Sequence, residues 1–301
     1  MNIRSPLFAL LCALVLAVGA ALLAVPAALA DSPGASDTSA PHYYVALGDS
    51  LAAGDQPNGG LGHGYADQLY TALKANDPTL ALVNLGCGGE STISMIYGSQ
   101  DPAVASSCGP PLFYRTRYPV GGTQLSQAVS FLQAHQSFVR LVTIDIGGDD
   151  LGLCLAVLDF SDSCLNAYLP GIAGNLAAIL AQLRAASGPN VPIVGMNYYD
   201  PFLGLWAFGL PAAATDSESF TVQLNDALEG AYRTADDPVA NVEGAFAVTD
   251  FSDSVTLPGF GAVPLNVYNA CTLTWFCALN DIHPNDTGYD LIAQAFEAAL
   301  Q

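Results

Sequence analysis

The chain has 301 residues, with 27 Asp and Glu against 7 Lys and Arg and a formal net charge of −20. So acidic a surface repels phosphate backbones and anionic headgroups at long range, which argues against nucleic acid as a partner. Charge of this sign and density keeps a protein soluble outside the cell.

Arg4 supplies an early positive charge, Leu7 to Leu23 is almost wholly apolar, and Ala28-Leu29-Ala30 offers small residues for cleavage before Asp31. That order predicts a secretory signal peptide over residues 1–30, in preference to a retained membrane anchor. Residues 31–41 are small, polar and aperiodic, and predict a flexible leader. The remainder, 42–301, suits one α/β domain, expected to be secreted, extracellular, monomeric and free of stable membrane insertion. No internal repeat or second apolar span is apparent in it.

Tyr43 to Leu47 is a short apolar run ending in Gly-Asp-Ser, which predicts a buried strand and a turn. Tyr65, Leu69 and Leu73 repeat at helical spacing. Leu80 to Leu85 predicts a second strand, ending in Gly86-Cys87-Gly88-Gly89. Leu125, Val129 and Leu132 mark a helix, and Leu141 to Ile146 a third strand that again ends in glycines and acids. Ile172, Leu176, Ile179, Leu180 and Leu183 form the clearest helical stripe, stopped by Gly188-Pro189. Val191 to Met196 predicts a fourth strand, Phe220, Leu224 and Leu228 a helix, and Ala245 to Val248 a fifth strand. Leu291, Ala295, Phe296 and Ala299 close the chain as a helix capped by Asn285 or Asp286. Strands alternating with helices imply a three-layer αβα sandwich around a parallel sheet of about five strands. Ligands collect beyond the carboxyl ends of such strands, where the glycine-rich segments fall.

Cys12 leaves with the signal peptide, and six cysteines remain: Cys87, Cys108, Cys154, Cys164, Cys271 and Cys277. An even number in an exported chain implies disulfides, and sequence neighbours suggest the pairs 87–108, 154–164 and 271–277. The closely spaced cysteine pairs of a zinc site are absent, so no metal is expected.

Of four histidines, His42 and His135 read as surface residues and His63 as a solvated loop residue. His283 lies in Asp281-Ile282-His283-Pro284. Two residues apart on an extended segment, Asp281 and His283 point to one side, so the carboxylate can accept from Nδ1 and leave Nε2 free as a base. Asn197-Tyr198-Tyr199-Asp200-Pro201-Phe202, with Leu205, Trp206 and Phe208, offers either packing under a rim or an apolar wall for an acyl chain.

Four segments now occur in order: Gly48-Asp49-Ser50-Leu51, Asn84-Leu85-Gly86-Cys87-Gly88-Gly89, Gly147-Gly148-Asp149-Asp150 and Asp281-Ile282-His283-Pro284. Together they resemble the SGNH (GDSL) hydrolase family, particularly its secreted actinobacterial esterase and lipase branch, over essentially the whole mature chain. The resemblance implies a flavodoxin-like fold and hydrolysis of small-molecule or lipid esters through an acyl-enzyme, with no cofactor. It makes Ser50 the nucleophile, His283 the base, Asp281 its orienter, and the Ser50 and Gly89 amides oxyanion donors. The family's third donor is an Asn side chain, and Asp149 stands at that position. An ionised carboxylate only accepts hydrogen bonds and repels an oxyanion. A protonated Asp149, a slow enzyme on two donors, and a catalytically impaired binding protein are the three consequences, in that order. A carbohydrate acetyl esterase is the alternative activity.

Overall fold

Short apolar runs separated by amphipathic segments fold here as a parallel sheet, seen in a computed structural model that describes residues 40–57, 62–98 and 122–301. The chain divides into a unit ending at Thr38 and a unit Ser39–Gln301. The expected signal peptide, 1–30, and all but the last two residues of the expected leader, 31–41, lie outside the described residues.

The strands are β1 (His42–Gly48), β2 (Leu80–Asn84), β3 (Val139–Asp145), β4 (Ile193–Met196) and β5 (Val239–Ala240). They pair in parallel in the order β2-β1-β3-β4-β5. β1 and β4 carry near-continuous buried runs, as strands covered on both faces do. The helices between them are α1 (Ser50–Ala53), α2 (Tyr65–Lys74), α3 (Thr92–Tyr97), α4 (Gln124–His135), α5 (Gly152–Ala156), α6 (Asp162–Ser187) and α7 (Pro211–Thr234). After β5 come α8 (Val242–Ala245), the antiparallel hairpin β6 (Ser254–Leu257) and β7 (Gly261–Pro264), α9 (Leu265–Leu273), α10 (Phe276–Leu279) and α11 (Asp286–Ala299). α2 packs with α11, and α4, α6 and α7 pack in succession, giving the two helical layers of an αβα sandwich. α6 is long and apolar enough to cross a membrane by length and composition. Its stripe Ile172, Leu176, Ile179, Leu180 and Leu183 is buried in the main core.

One expected strand is corrected. Ala245 to Val248 is the end of α8 and the turn after it, and the fifth strand is Val239–Ala240. Asn241 caps α8 by accepting from the Gly244 amide, and Ala247 takes a φ of +52°. Phe246 and Val248 are buried by the turn rather than by a sheet. A four-residue apolar run carries too little periodicity to tell these apart.

The order places β1 between β2 and β3, so the chain leaves β1 to one side and later returns to the other. The crevice beyond the carboxyl ends of β1 and β3 is therefore the topological switch point, where ligands bind in such sheets.

Candidate active site

β1 ends at Gly48, with a φ of +141° and a virtual Cβ only 2.2 Å from the Asp145 carbonyl oxygen. Only glycine fits there. Asp49 follows and caps α1, its Oδ1 accepting from the Leu51 amide at 2.9 Å. Ser50 is the first residue of that helix. Gln124, at the start of α4 and fully buried, brackets the turn. Its Oε1 accepts from the Gly48 amide at 2.6 Å, and its Nε2 donates to the Gly48 carbonyl at 2.9 Å and to Glu90 at 3.1 Å.

Beneath the turn lie two buried acids. Asp145 Oδ2 accepts from the Asp49 and Ala52 amides at 3.1 and 3.3 Å, and Oδ1 accepts from the Tyr65 hydroxyl. The Tyr198 hydroxyl donates to Asp49 Oδ2 at 2.8 Å and accepts from the Gly148 amide at 3.3 Å. Burial pushes both carboxyls up, Asp145 to about 7, and the neighbouring Asp145 charge raises Asp49 further. The nucleophile's turn thus rests on two buried, hydrogen-bonded carboxyls whose burial disfavours the charged form.

The turn after β2 is tied to the same helix. Asn84 Nδ2 donates to the Ala52 carbonyl at 2.6 Å, and the Cys87 amide donates to the Gly48 carbonyl at 3.1 Å. Gly89 has a φ of +78°, open to glycine at no steric cost. It does not line the cleft that Ser50 shares with His283, although its turn is bonded to the nucleophile's. Neither the Ser50 nor the Gly89 amide has a hydrogen-bond acceptor among the described residues.

β3 leads through Gly147 and Gly148 to Asp149 and Asp150. Asp150 is anchored, accepting from the Thr92 amide at 2.7 Å and the Thr92 hydroxyl at 2.6 Å. Asp149 is exposed to the open cleft and makes no hydrogen bond among the described residues. Its carboxyl is pushed well above the ordinary range, first by the surrounding protein that displaces water and then by the Asp49 charge, with His283 opposing.

At the other end of the chain, His283 Nδ1 lies 2.8 Å from Asp281 Oδ1, and the His283 amide donates to the same oxygen at 2.9 Å. Burial tends to lower the imidazole pKa, but the Asp281 bond and charge outweigh it and hold His283 above its usual value. Asp281 moves down, its own burial outweighed by the bonds and charge of His283. The segment is held from both sides: Trp275 N donates to the His283 carbonyl at 2.9 Å, and the Tyr199 hydroxyl to the Ile282 carbonyl at 2.8 Å. Asn285 then caps α11, accepting from the Thr287 and Gly288 amides.

Ser50, Asp149 and His283 line one cleft, and Asp281 stands behind the histidine. Leu151, Leu155, Phe160, Phe202, Phe220 and Leu224 give it largely apolar walls, with Thr221 among them. His42 pairs with Asp77, His135 packs in tilted ring contacts with Tyr43 and Phe131, and His63 faces Asp286 in solvent, so the other histidines lie outside this cleft. Cys154–Cys164 and Cys271–Cys277 are bonded as expected. Cys87 is also disulfide-bonded, and Cys108, its expected partner, lies outside the described residues. Among the described residues no group of three side chains could hold a metal.

A profile of the GDSL-like lipase/acylhydrolase family matches residues 46–291. The chain belongs to that family. Solved structures with the same fold include a lipase from a goat rumen metagenome, 15% identical with a TM-score of 0.52, covering 86% of this chain and 97% of that one. An extracellular lipase from Streptomyces rimosus is 18% identical with a TM-score of 0.52, covering 86% and 99%. A catalytic mutant of an acetylxylan esterase from Geobacillus stearothermophilus is 15% identical with a TM-score of 0.50, covering 87% and 95%. No curated protein sequence matches. Within this GDSL-like chain, Gln124, Asp145, Tyr65 and Tyr198 are supports for the site that sequence reasoning did not find. Tyr198 lay in a segment already singled out for its aromatics, and that segment divides. Tyr198, Tyr199 and Phe202 line the cleft, whereas Leu205 packs with Ala214 and Phe276 in a separate cluster and Phe208 is exposed.

Proposed function

We propose that this GDSL-family chain is a secreted hydrolase of carboxylic esters that works through an acyl-enzyme on Ser50. The observation that carries the reading is the meeting of Ser50 and an Asp281-oriented His283 in one cleft, from opposite ends of the chain. Ser50 Oγ attacks the ester carbonyl while His283 Nε2 takes its proton, and the imidazolium formed is stabilised through Nδ1–H by Asp281. The Ser50 and Gly89 amides, without an acceptor among the described residues, serve the developing oxyanion. Collapse returns the proton to the departing alcohol, and water, deprotonated by His283, releases the acid. Export through an N-terminal signal peptide over 1–30 is supported by the disulfides, which form and persist in oxidising compartments.

Asp149 is assigned the third oxyanion donor, as a protonated carboxyl. Its raised pKa supports this, since an acid kept neutral can donate. The same residue favours one competing reading, a binding protein on an impaired scaffold, should Asp149 ionise. A fluorophosphonate probe separates the two. Labelling is expected at Ser50 by peptide mass spectrometry and absent in Ser50→Ala; folded protein that is never labelled ends the enzyme reading.

A further inference from the structure

We infer that the cleft accepts acyl groups no longer than butyryl, and that Phe220 and Phe160 set this limit; the inference rests on the ester-hydrolase reading above. The half-open cleft beside Ser50 offers about 100 Å³. An apolar cavity of roughly 150 Å³ takes one benzene ring, so this space holds a shorter apolar group. The walls explain why it ends where it does. Leu151, Phe220 and Leu224 are all at most 5% exposed and belong to the main core, so the floor has packed protein behind it. Phe160 covers the flank, its ring 5.4 Å from Phe202 and edge-on to Phe220 at 5.7 Å. It lies within the loop closed by Cys154–Cys164, which limits its freedom to swing aside.

The lining also fits the acyl side rather than a sugar. Most side chains that line the cleft are aliphatic or aromatic, with Ser50, Asp149 and His283 as its reacting groups and Thr221 and the two tyrosines adding hydroxyls. A sugar, with a hydroxyl on nearly every carbon, would lose more water against these walls than the few lining hydroxyls could replace. The alcohol half of the ester therefore leaves through the mouth, and the acyl half enters the pocket. A longer chain has to displace Phe160 or Phe220, or bend back into solvent. In apolar pockets each misfit methylene costs roughly 10- to 200-fold in specificity.

The experiment is a series of p-nitrophenyl acetate, butyrate and octanoate, each below its aggregation concentration, on wild type, Phe220→Ala and Phe160→Ala. Wild-type kcat/KM is expected to fall at least about tenfold from butyrate to octanoate, and both truncations to narrow or reverse that ratio. Phe220 is deep in the core, so its folding is checked by circular dichroism. Should that variant not fold, half-buried Phe160 decides the matter. Wild type favouring octanoate, or folded variants that keep the wild-type ratio, overturns the length limit alone. No hydrolysis of any ester, together with no fluorophosphonate labelling, overturns the hydrolase reading and the limit with it.

Discussion

Asp281 and Asp149 are the same side chain in two settings at one cleft. Asp281 accepts from the ring and the backbone of His283 and is held below the ordinary carboxylate range. Asp149 has no hydrogen-bond partner among the described residues, crowds with Asp49, and is held well above that range. One is a stable anion that can orient and balance an imidazolium. The other is shifted toward the neutral form, the form that could donate a proton. Partners and desolvation, not residue type, assign the roles.

The most severe way to break this contrast is to remove the charge from the partnered acid. Asp281→Asn leaves the shape nearly intact but can present an N–H to Nδ1, which favours the wrong imidazole tautomer. In a serine protease the equivalent change lowers kcat by about 10,000-fold, and a loss of that order is expected here. Kinetics with a soluble short-chain ester would measure it. A folded variant that loses less than about tenfold would remove Asp281 from its assigned role.

Altering the unpartnered acid should act in the opposite direction. In wild type, His283 becomes a base only above its raised pKa, while Asp149 donates only below its own. The rate is therefore limited on the acid side by His283 and on the alkaline side by Asp149, giving a bell-shaped profile. Asp149→Asn donates at every pH, so the alkaline limb should disappear. The gain there is roughly a hundred- to a thousandfold, the usual weight of one oxyanion donor. A variant no faster than wild type at any pH would detach Asp149 from the oxyanion.

Much of this contrast was legible in the chain itself. Asp281-Ile282-His283 is a local pattern, and two residues on an extended segment fall on one side by geometry alone. Ser50 and Asp149 were singled out by the resemblance of their glycine-rich strand-end segments to the GDSL-like family, not by composition or periodicity. The supports were not. Gln124 is a buried amide at a helix start, and no periodicity says that it will bracket Gly48, 76 residues earlier. Tyr198 reaches Asp49 across 149 residues. Such bonds depend on how elements pack, and a single sequence shows only what lies along it. The hairpin β6–β7 also went unseen, because two four-residue strands outside the main sheet leave little alternation to read.

The smallest effect expected concerns an acid of the Asp149 kind away from the reacting groups. Asp200 is buried, bonded to the Ser217 hydroxyl and the Phe202 amide, and burial pushes it up to about 7. In the unfolded chain it ionises near about 4, so between about pH 4 and 7 the folded form binds the extra proton. Stability from this group is therefore greatest at acid pH, falls as pH rises through that window, and levels off above it. Asp77 works the other way. Bonds from Thr79 and His42 lower it to about 2, so its contribution is present above about pH 4 and is lost as pH falls toward 2. Together they put the optimum for these groups on the mildly acidic side. Asp200→Asn cannot ionise and should flatten the decline by up to a few kcal/mol between about pH 5 and 7.5. Thermal midpoints of both proteins across that range test it: parallel slopes would mean that Asp200 is ionised in the folded state throughout.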